Sequence, residues 1–199
     1  FLNCEMSDNQ FAGLYLYSPA SEPNFYTVLS ANNTYAMYYP SPDFTILPPN
    51  GTGLTFTGNT YNGICLEGGQ VYDNRTWNSI AYDYIMLGNL IVGKGGTNGR
   101  LTIEPGNTVK FVSGANLQVG IYIPYSHYGG ELYAIGTADS LITFTSHDGT
   151  VGGWEGIYFD DNSDWYGGSS VMDYCVVENG NDYNMYFSNT NQAQIFNTE

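Results

Sequence analysis

Positive charge is the first thing this sequence lacks. Its 199 residues hold four Lys and Arg against 19 Asp and Glu, a formal net charge of −15, and all four cations fall between Arg75 and Lys110. Phosphate backbones and anionic bilayers are drawn to basic stripes, so the balance argues against nucleic acid and against a charged membrane surface as partners. Long apolar runs are absent too. None reaches the ~18 residues of a spanning helix, and Phe1-Leu-Asn-Cys4 has neither the basic nor the apolar stretch of a leader. With little Lys and much Tyr, Asn and Thr, the chain reads as a mature secreted protein. No window keeps a 3.6-residue apolar period, so almost no helix is expected.

Cysteine is scarce and odd in number: Cys4, Cys65 and Cys175. At most one internal pair can form. In an oxidising compartment Cys4 and Cys65 are the expected disulfide, stapling the first third to the rest of the chain. Cys175 is expected to face inward with Met172 and Val177 as a small buried hydrophobe, since no His or cation lies near it in sequence to activate a thiolate. The spacings match no zinc or haem motif.

What is plentiful points to strands. Hydrophobic residues make up 42% and aromatics 16%, with 25 Gly and 19 Tyr, the composition of an all-β chain rich in turns. Residues 1–66 contain six of the eight prolines, between short strands expected at Phe11–Tyr17, Phe25–Leu29, Thr34–Tyr39, Phe44–Leu47 and Leu54–Phe56. That shift in composition marks a boundary near residue 66: an N-terminal β-rich annex or cap over 1–66, and a second unit over 67–199. The Gly-rich turn Gly93–Gly99 supplies left-handed positions for a bend. It is not a phosphate cradle, because no helix follows and the P-loop spacing is missing.

Beyond it, short apolar/polar alternations recur in order: Leu101-Thr-Ile, Val109-Lys-Phe, Leu117-Gln-Val, Leu132-Tyr-Ala, Ile142-Thr-Phe, Ile157-Tyr-Phe, Met172 to Val177, Met185-Tyr-Phe and Gln194-Ile-Phe. Leu101, Ile103, Val109, Phe111, Leu117, Val119, Ile142, Phe144, Ile157 and Phe159 are the expected inward set. Leu101, Leu132 and Met172 are expected on equivalent strands of successive turns. Trp77 and the lines Tyr84–Val92, Leu101–Phe111, Gly130–Ser146, Gly153–Phe159 and Ser170–Gly180 together resemble the right-handed parallel β-helix domains of secreted and surface bacterial proteins, over roughly residues 70–199. The resemblance implies a solenoid whose coils bond to the coils above and below. It implies no particular activity, since such domains serve as adhesins, fibres, enzyme scaffolds and spacers.

Candidate chemistry is sparse. Asp160, Asn162 and Asp164 alternate as calcium-binding loops do, but Trp165 stands where a Gly is needed and no Glu closes the loop; the other reading is an Asp/Asn-rich turn. The acidity as a whole reads either as a soluble surface or, more sharply, as calcium binding or a salty habitat. His127 and His147 read as exposed turn residues, and the Ser146-His147-Asp148 run lacks a nucleophile elbow. Asp160, Asp161 and Asp182 could be enlisted for glycoside hydrolysis, yet the motifs of β-helix hydrolases are missing and no cation is close in sequence to act as a lyase base. Tyr122, Tyr125, Tyr128, Tyr133, Tyr158, Tyr166, Tyr174, Tyr183 and Tyr186, with Trp154 and Trp165, are expected as outward aromatic ladders for sugars or protein partners. Asn32, Asn50 and Asn74 open glycosylation sequons. The expected function is an extracellular structural or adhesive protein rather than an enzyme, a homopolymer assembling through strands at coil ends. The alternative is a carbohydrate-binding or polysaccharide-cleaving protein. No cofactor is expected apart from calcium.

Overall fold

The alternations of the sequence fold as 22 short strands in the computed structural model, which describes residues 2–17, 26–43, 53–123, 126–161, 163, 165–189 and 193–199. The longest ladder is all parallel: β2 (Ala12–Tyr15), β4 (Tyr35–Tyr39), β6 (Tyr61–Leu66), β9 (Tyr84–Met86), β13 (Thr108–Phe111), β17 (Ile142–Ser146) and β20 (Cys175–Val177). A second parallel path runs β8 (Arg75–Trp77), β12 (Asn98–Ile103), β16 (Ser126–Ile135), β19 (Val171–Asp173) and β22 (Gln194–Phe196). A third runs β7 (Gly69–Val71), β10 (Leu90–Val92), β14 (Leu117–Val119), β18 (Ile157–Phe159) and β21 (Met185–Phe187). A three-stranded parallel sheet joins β1 (Leu2–Ser7), β3 (Tyr26–Ala31) and β5 (Leu54–Thr57). Among the described residues the molecule is therefore an all-β stack of mostly parallel sheets with essentially no helix.

From residue 69 onward the chain visits the sheets in a fixed order: β7–β8–β9, then β10–β12–β13, β14–β16–β17 and β18–β19–β20, then β21–β22. Each such pass makes one rung of the stack. Backbone donors and acceptors of one rung are met by its neighbours, as a chain without helices requires. The side chains turned between the sheets form one cluster running from Leu14 to Val177. All ten expected inward residues lie in it, and so do Met172, Cys175 and Val177. Each fully buried Leu, Ile or Phe contributes on the order of 2 kcal/mol of transfer free energy.

Across the boundary expected near residue 66, β6 pairs with β4 on one side and with β9 on the other. Among the described residues before it, β2, β4 and β6 belong to the long ladder. The strand expected over Phe44–Leu47 lies outside the described residues. Met172 to Val177 is two strands in different sheets, since Tyr174 takes a left-handed φ of 49° and turns the chain between them. Leu101, Leu132 and Met172 lie, as read, on the successive strands β12, β16 and β19 of one sheet; in register Leu101 pairs with Leu132, and Met172 with Ala134.

Candidate functional site

One excursion leaves the parallel stack. β15 (Ile121–Ile123) turns back antiparallel onto the first half of β16, and the short β11 (Lys94–Gly95) pairs antiparallel with the same half. The second half of β16 returns to the parallel ladder between β12 and β19. The arm so formed lies close to its neighbours because its backbone carries Gly129 and Gly130. A Cβ on Gly130 would strike the carbonyl oxygen of Val92, and one on Gly129 would strike the side-chain oxygen of Asn98.

Under the arm sits a polar set. Glu131 is buried, paired with the Arg100 guanidinium, and accepts a hydrogen bond from Asn98 Nδ2 at 3.2 Å. The Arg100 guanidinium lies over the Tyr133 ring, 4.3 Å from its centroid. Asn98 Oδ1 is buried without a hydrogen-bond partner. The loop after β18 (Ile157–Phe159) folds over this set. Gly130 N–H donates to the Ser163 carbonyl at 3.4 Å, and Tyr166 O–H donates to the His127 carbonyl at 3.4 Å. Trp165 from that loop lies flat on His127, with ring centroids 3.6 Å apart and planes 11° apart. Tyr122, on the arm, is 61% exposed and its ring is 6.4 Å from that of His127.

Several expected site residues fall elsewhere. Asp160 is buried at the start of the loop; its N–H donates to the Val119 carbonyl and its carbonyl accepts from Ser163. Asn162 and Asp164 lie outside the described residues, and among the described residues no group of three His, Cys, Asp or Glu is arranged to hold a metal. The expected Cys4–Cys65 disulfide is not formed. Cys4 is on β1 and packs against the main core, whereas Cys65 is on β6 in another sheet, in an outer cluster with Tyr38 and Ile85. Burial pushes the Cys65 thiol far up, and pushes that of Cys175 up to about 12, so both are inert neutral side chains. Asn32 and Asn74 are exposed in turns, as sequons require, and Asn50 and Tyr125 are outside the described residues.

All four cations are engaged: Arg75 with Asp43 and Asp73, Lys94 with Asp73, Arg100 with Glu131 and Lys110 with Asp83. Hydrogen bonds from Thr150 first, and from Ser146 with them, hold the Asp148 carboxyl below its usual range. Ser146 Oγ donates to the Thr150 carbonyl, Asp148 accepts from Thr150, and the His147 ring lies 4.8 Å from that of Tyr61. His147 Nδ1 is buried without a partner. Its imidazole is held below the usual value, by burial first and by Lys110 second. Below about pH 6.5 the unfolded chain takes up a proton that folded His147 resists. Stability is therefore expected to fall as pH drops from about 6.5 to 5, before carboxylates titrate. Urea denaturation at the two pH values checks this, and His147→Gln should flatten the difference.

The aromatic expectation is met in part. Tyr186 stacks on Tyr158 at 5.0 Å and 7°, and Phe187 on Phe159 at 4.9 Å and 2°, as outward and inward ladders of one sheet. Trp154, expected outside, is fully buried, stacked on Phe111 at 4.6 Å with its N–H donated to the Glu178 carbonyl at 2.8 Å. Sequence reasoning missed a further patch, in which Phe11, Tyr15, Tyr35, Tyr38 and Tyr61 touch one another on the outer side of the first rungs.

It also missed an asparagine stack. Asp8-Asn9-Gln10, Asn32-Asn33-Thr34 and Gly58-Asn59-Thr60 are corresponding turns of three rungs. Their first residues all take left-handed φ, at 60°, 55° and 66°. Asn33 Oδ1 accepts from the N–H and side-chain nitrogen of Asn9, and Asn59 Oδ1 accepts from the same two groups of Asn33. The spacings of 24 and 26 residues were there to be read in the sequence.

Comparison with known proteins finds no matching family model, no similar curated protein and no similar solved structure. The arm and its covering loop offer stacking faces, and the paired ions beneath hold them in place.

Proposed function

We propose that the chain is a right-handed parallel β-helix belonging to an extracellular structural or adhesive protein that assembles with copies of itself by strand addition. The observation that carries this reading is the one-sided pairing of β21 and β22. Among the described strands each is bonded on one side, to β18 and β19 respectively. Tyr186, Phe187 and Phe196 stand half-exposed there. An added strand would continue both the hydrogen-bond ladder and the ring stacks. The same two sheets end on their other side at β7 and β8, and a contact between unlike edges repeats without closing, which makes a filament. The fixed order in which the chain visits its sheets supports a solenoid, and the handedness follows the general rule for parallel crossovers. The low Lys content and the Tyr, Asn and Thr usage support an extracellular site.

Sedimentation velocity and electron microscopy across a concentration series test assembly. Growth with concentration is expected, and Phe187→Lys combined with Phe196→Lys should raise the concentration needed by at least about tenfold while leaving the circular dichroism unchanged. Monodisperse monomers at every concentration would sink the reading. Carbohydrate recognition is the second reading, and the observation favouring it is the exposed Trp165–His127 stack. Binding is preferred to cleavage, because every cation that might serve as a lyase base is held in an ion pair.

A further inference from the structure

We propose that the open face of Trp165 is a stacking ledge for one pyranose unit of an uncharged polysaccharide, which rests on the carbohydrate reading and gives it a place and a ligand class. Of the three tryptophans, Trp77 and Trp154 are fully buried and Trp165 is 56% exposed. Leaving an indole in water forgoes much of the largest apolar burial any side chain offers. Here it also stands beside Tyr122, at 61% exposure, on an arm that departs from the regular stack.

The ledge is built before any ligand arrives. His127 covers one indole face at 3.6 Å and 11°. The bond from Tyr166 O–H to the His127 carbonyl ties the loop to the arm. Below, Gly168 approaches Asn98 and Glu131 so closely that a Cβ there would lie 2.7 Å from Asn98 Nδ2 and 3.0 Å from Glu131 Cγ. The indole plane is thus fixed in advance, so little ordering remains to oppose binding.

Ring geometry and charge choose the occupant. An aromatic face is the negative part of the ring quadrupole and attracts the weakly positive C–H groups of a sugar ring lying flat on it. A cationic headgroup would want several ring faces converging on one point. The second face of Trp165 is already taken by His127, and Tyr122 is inclined at 54° to that imidazole. Acidic glycans and nucleic acids are repelled by a chain of net charge −15 whose four cations are all paired internally.

Because the other two indoles are buried, acrylamide quenches Trp165 selectively. The test is acrylamide quenching during titration with cellohexaose, xylohexaose and mannohexaose, at protein concentrations below any assembly. At least one probe should give a saturable blue shift and a quenching constant lowered about twofold, as expected when one exposed face is covered. In affinity electrophoresis through the corresponding polysaccharide, Trp165→Ala should weaken retardation at least about tenfold, and His127→Ala about threefold by freeing the indole plane. Trp165→Phe should keep part of the affinity. The proposal is overturned if no probe protects Trp165, if Trp165→Ala binds as the wild type does, or if tetramethylammonium protects where the sugars do not. The Phe187→Lys, Phe196→Lys variant should bind the same probe unchanged, so loss of assembly and loss of sugar binding are read separately.

Discussion

Replacing Asn33 by alanine is expected to lower the unfolding free energy by about 3 kcal/mol, the sum of several buried groups left unmet. Asn33 is 4% exposed. Its side-chain nitrogen faces the Met6 carbonyl at 3.0 Å, Ser30 Oγ at 3.1 Å and Asn59 Oδ1 at 3.0 Å, while its oxygen accepts from Asn9 twice. Alanine removes the donor to Met6 and the acceptor for Asn9 together, in a turn where three rungs meet. Ser30 is less affected, because its hydroxyl donates to the Ala36 carbonyl at 2.8 Å. Asn33→Asp should be no better than alanine. It keeps the acceptor for Asn9 but turns a second oxygen toward the Met6 and Asn59 oxygens. The neighbouring Asn32 is exposed, and its side chain donates to Asp8 at 3.2 Å. Asn32→Ala should cost well under half as much, chiefly through its left-handed φ of 55°. Urea denaturation of the four proteins ranks them; equal stabilities for Asn33→Ala and Asn32→Ala would refute a structural asparagine stack.

The strands were legible because the pleat leaves a period of two that survives in short segments. Leu101, Ile103, Val109 and Phe111 needed nothing beyond alternation, and they are buried as read. The asparagine stack was missed for a physical reason. Its residues sit in turns, where Asn is expected on local grounds alone, and only the register between rungs shows that Asn9, Asn33 and Asn59 bond to one another. The boundary read near residue 66 arose from prolines, which carry no information on the pairing of Leu66 with Tyr39 and Met86. The Cys4–Cys65 pair arose from counting, and the two strands belong to different sheets. The arm was half visible. Tyr122, Tyr128 and Trp165 stood out by type, but the antiparallel return of β15 onto β16 that places Tyr122 beside His127 has no one-dimensional signature. Nor does the loop that brings Trp165 to His127 from 38 positions away in the sequence, about one rung distant.

Trp154→Ala should be the most damaging single substitution, at about 4 kcal/mol, the usual cost of emptying a buried indole site. Alternation read backward from Ile157 and Phe159 would put Trp154 on the outside. Gly156 breaks that count with a φ of 84°, and a Cβ there would lie 2.5 Å from the Tyr183 carbonyl oxygen. The chain therefore rolls over at Gly156, and Trp154 enters the core against Phe111. Its backbone bridges to Gly180 in the next rung, and its indole N–H holds the Glu178 carbonyl. Three losses then add in the alanine variant: transfer free energy, packing around a cavity beside Phe111, and the donor to a carbonyl near the end of β20. Trp154→Phe keeps the stack and gives up only the donor and part of the volume, so it should cost about 2 kcal/mol. Thermal unfolding followed by circular dichroism distinguishes the cases. If Trp154→Ala melts within a degree or two of the wild type, the indole is not buried between the rungs. The phenylalanine variant also supplies a control for the sugar ledge, because fluorescence from a Trp154→Phe protein comes from buried Trp77 and exposed Trp165 alone. A ligand-induced blue shift that persists there cannot come from Trp154, and by the burial of Trp77 it is assigned to the face that His127 leaves open.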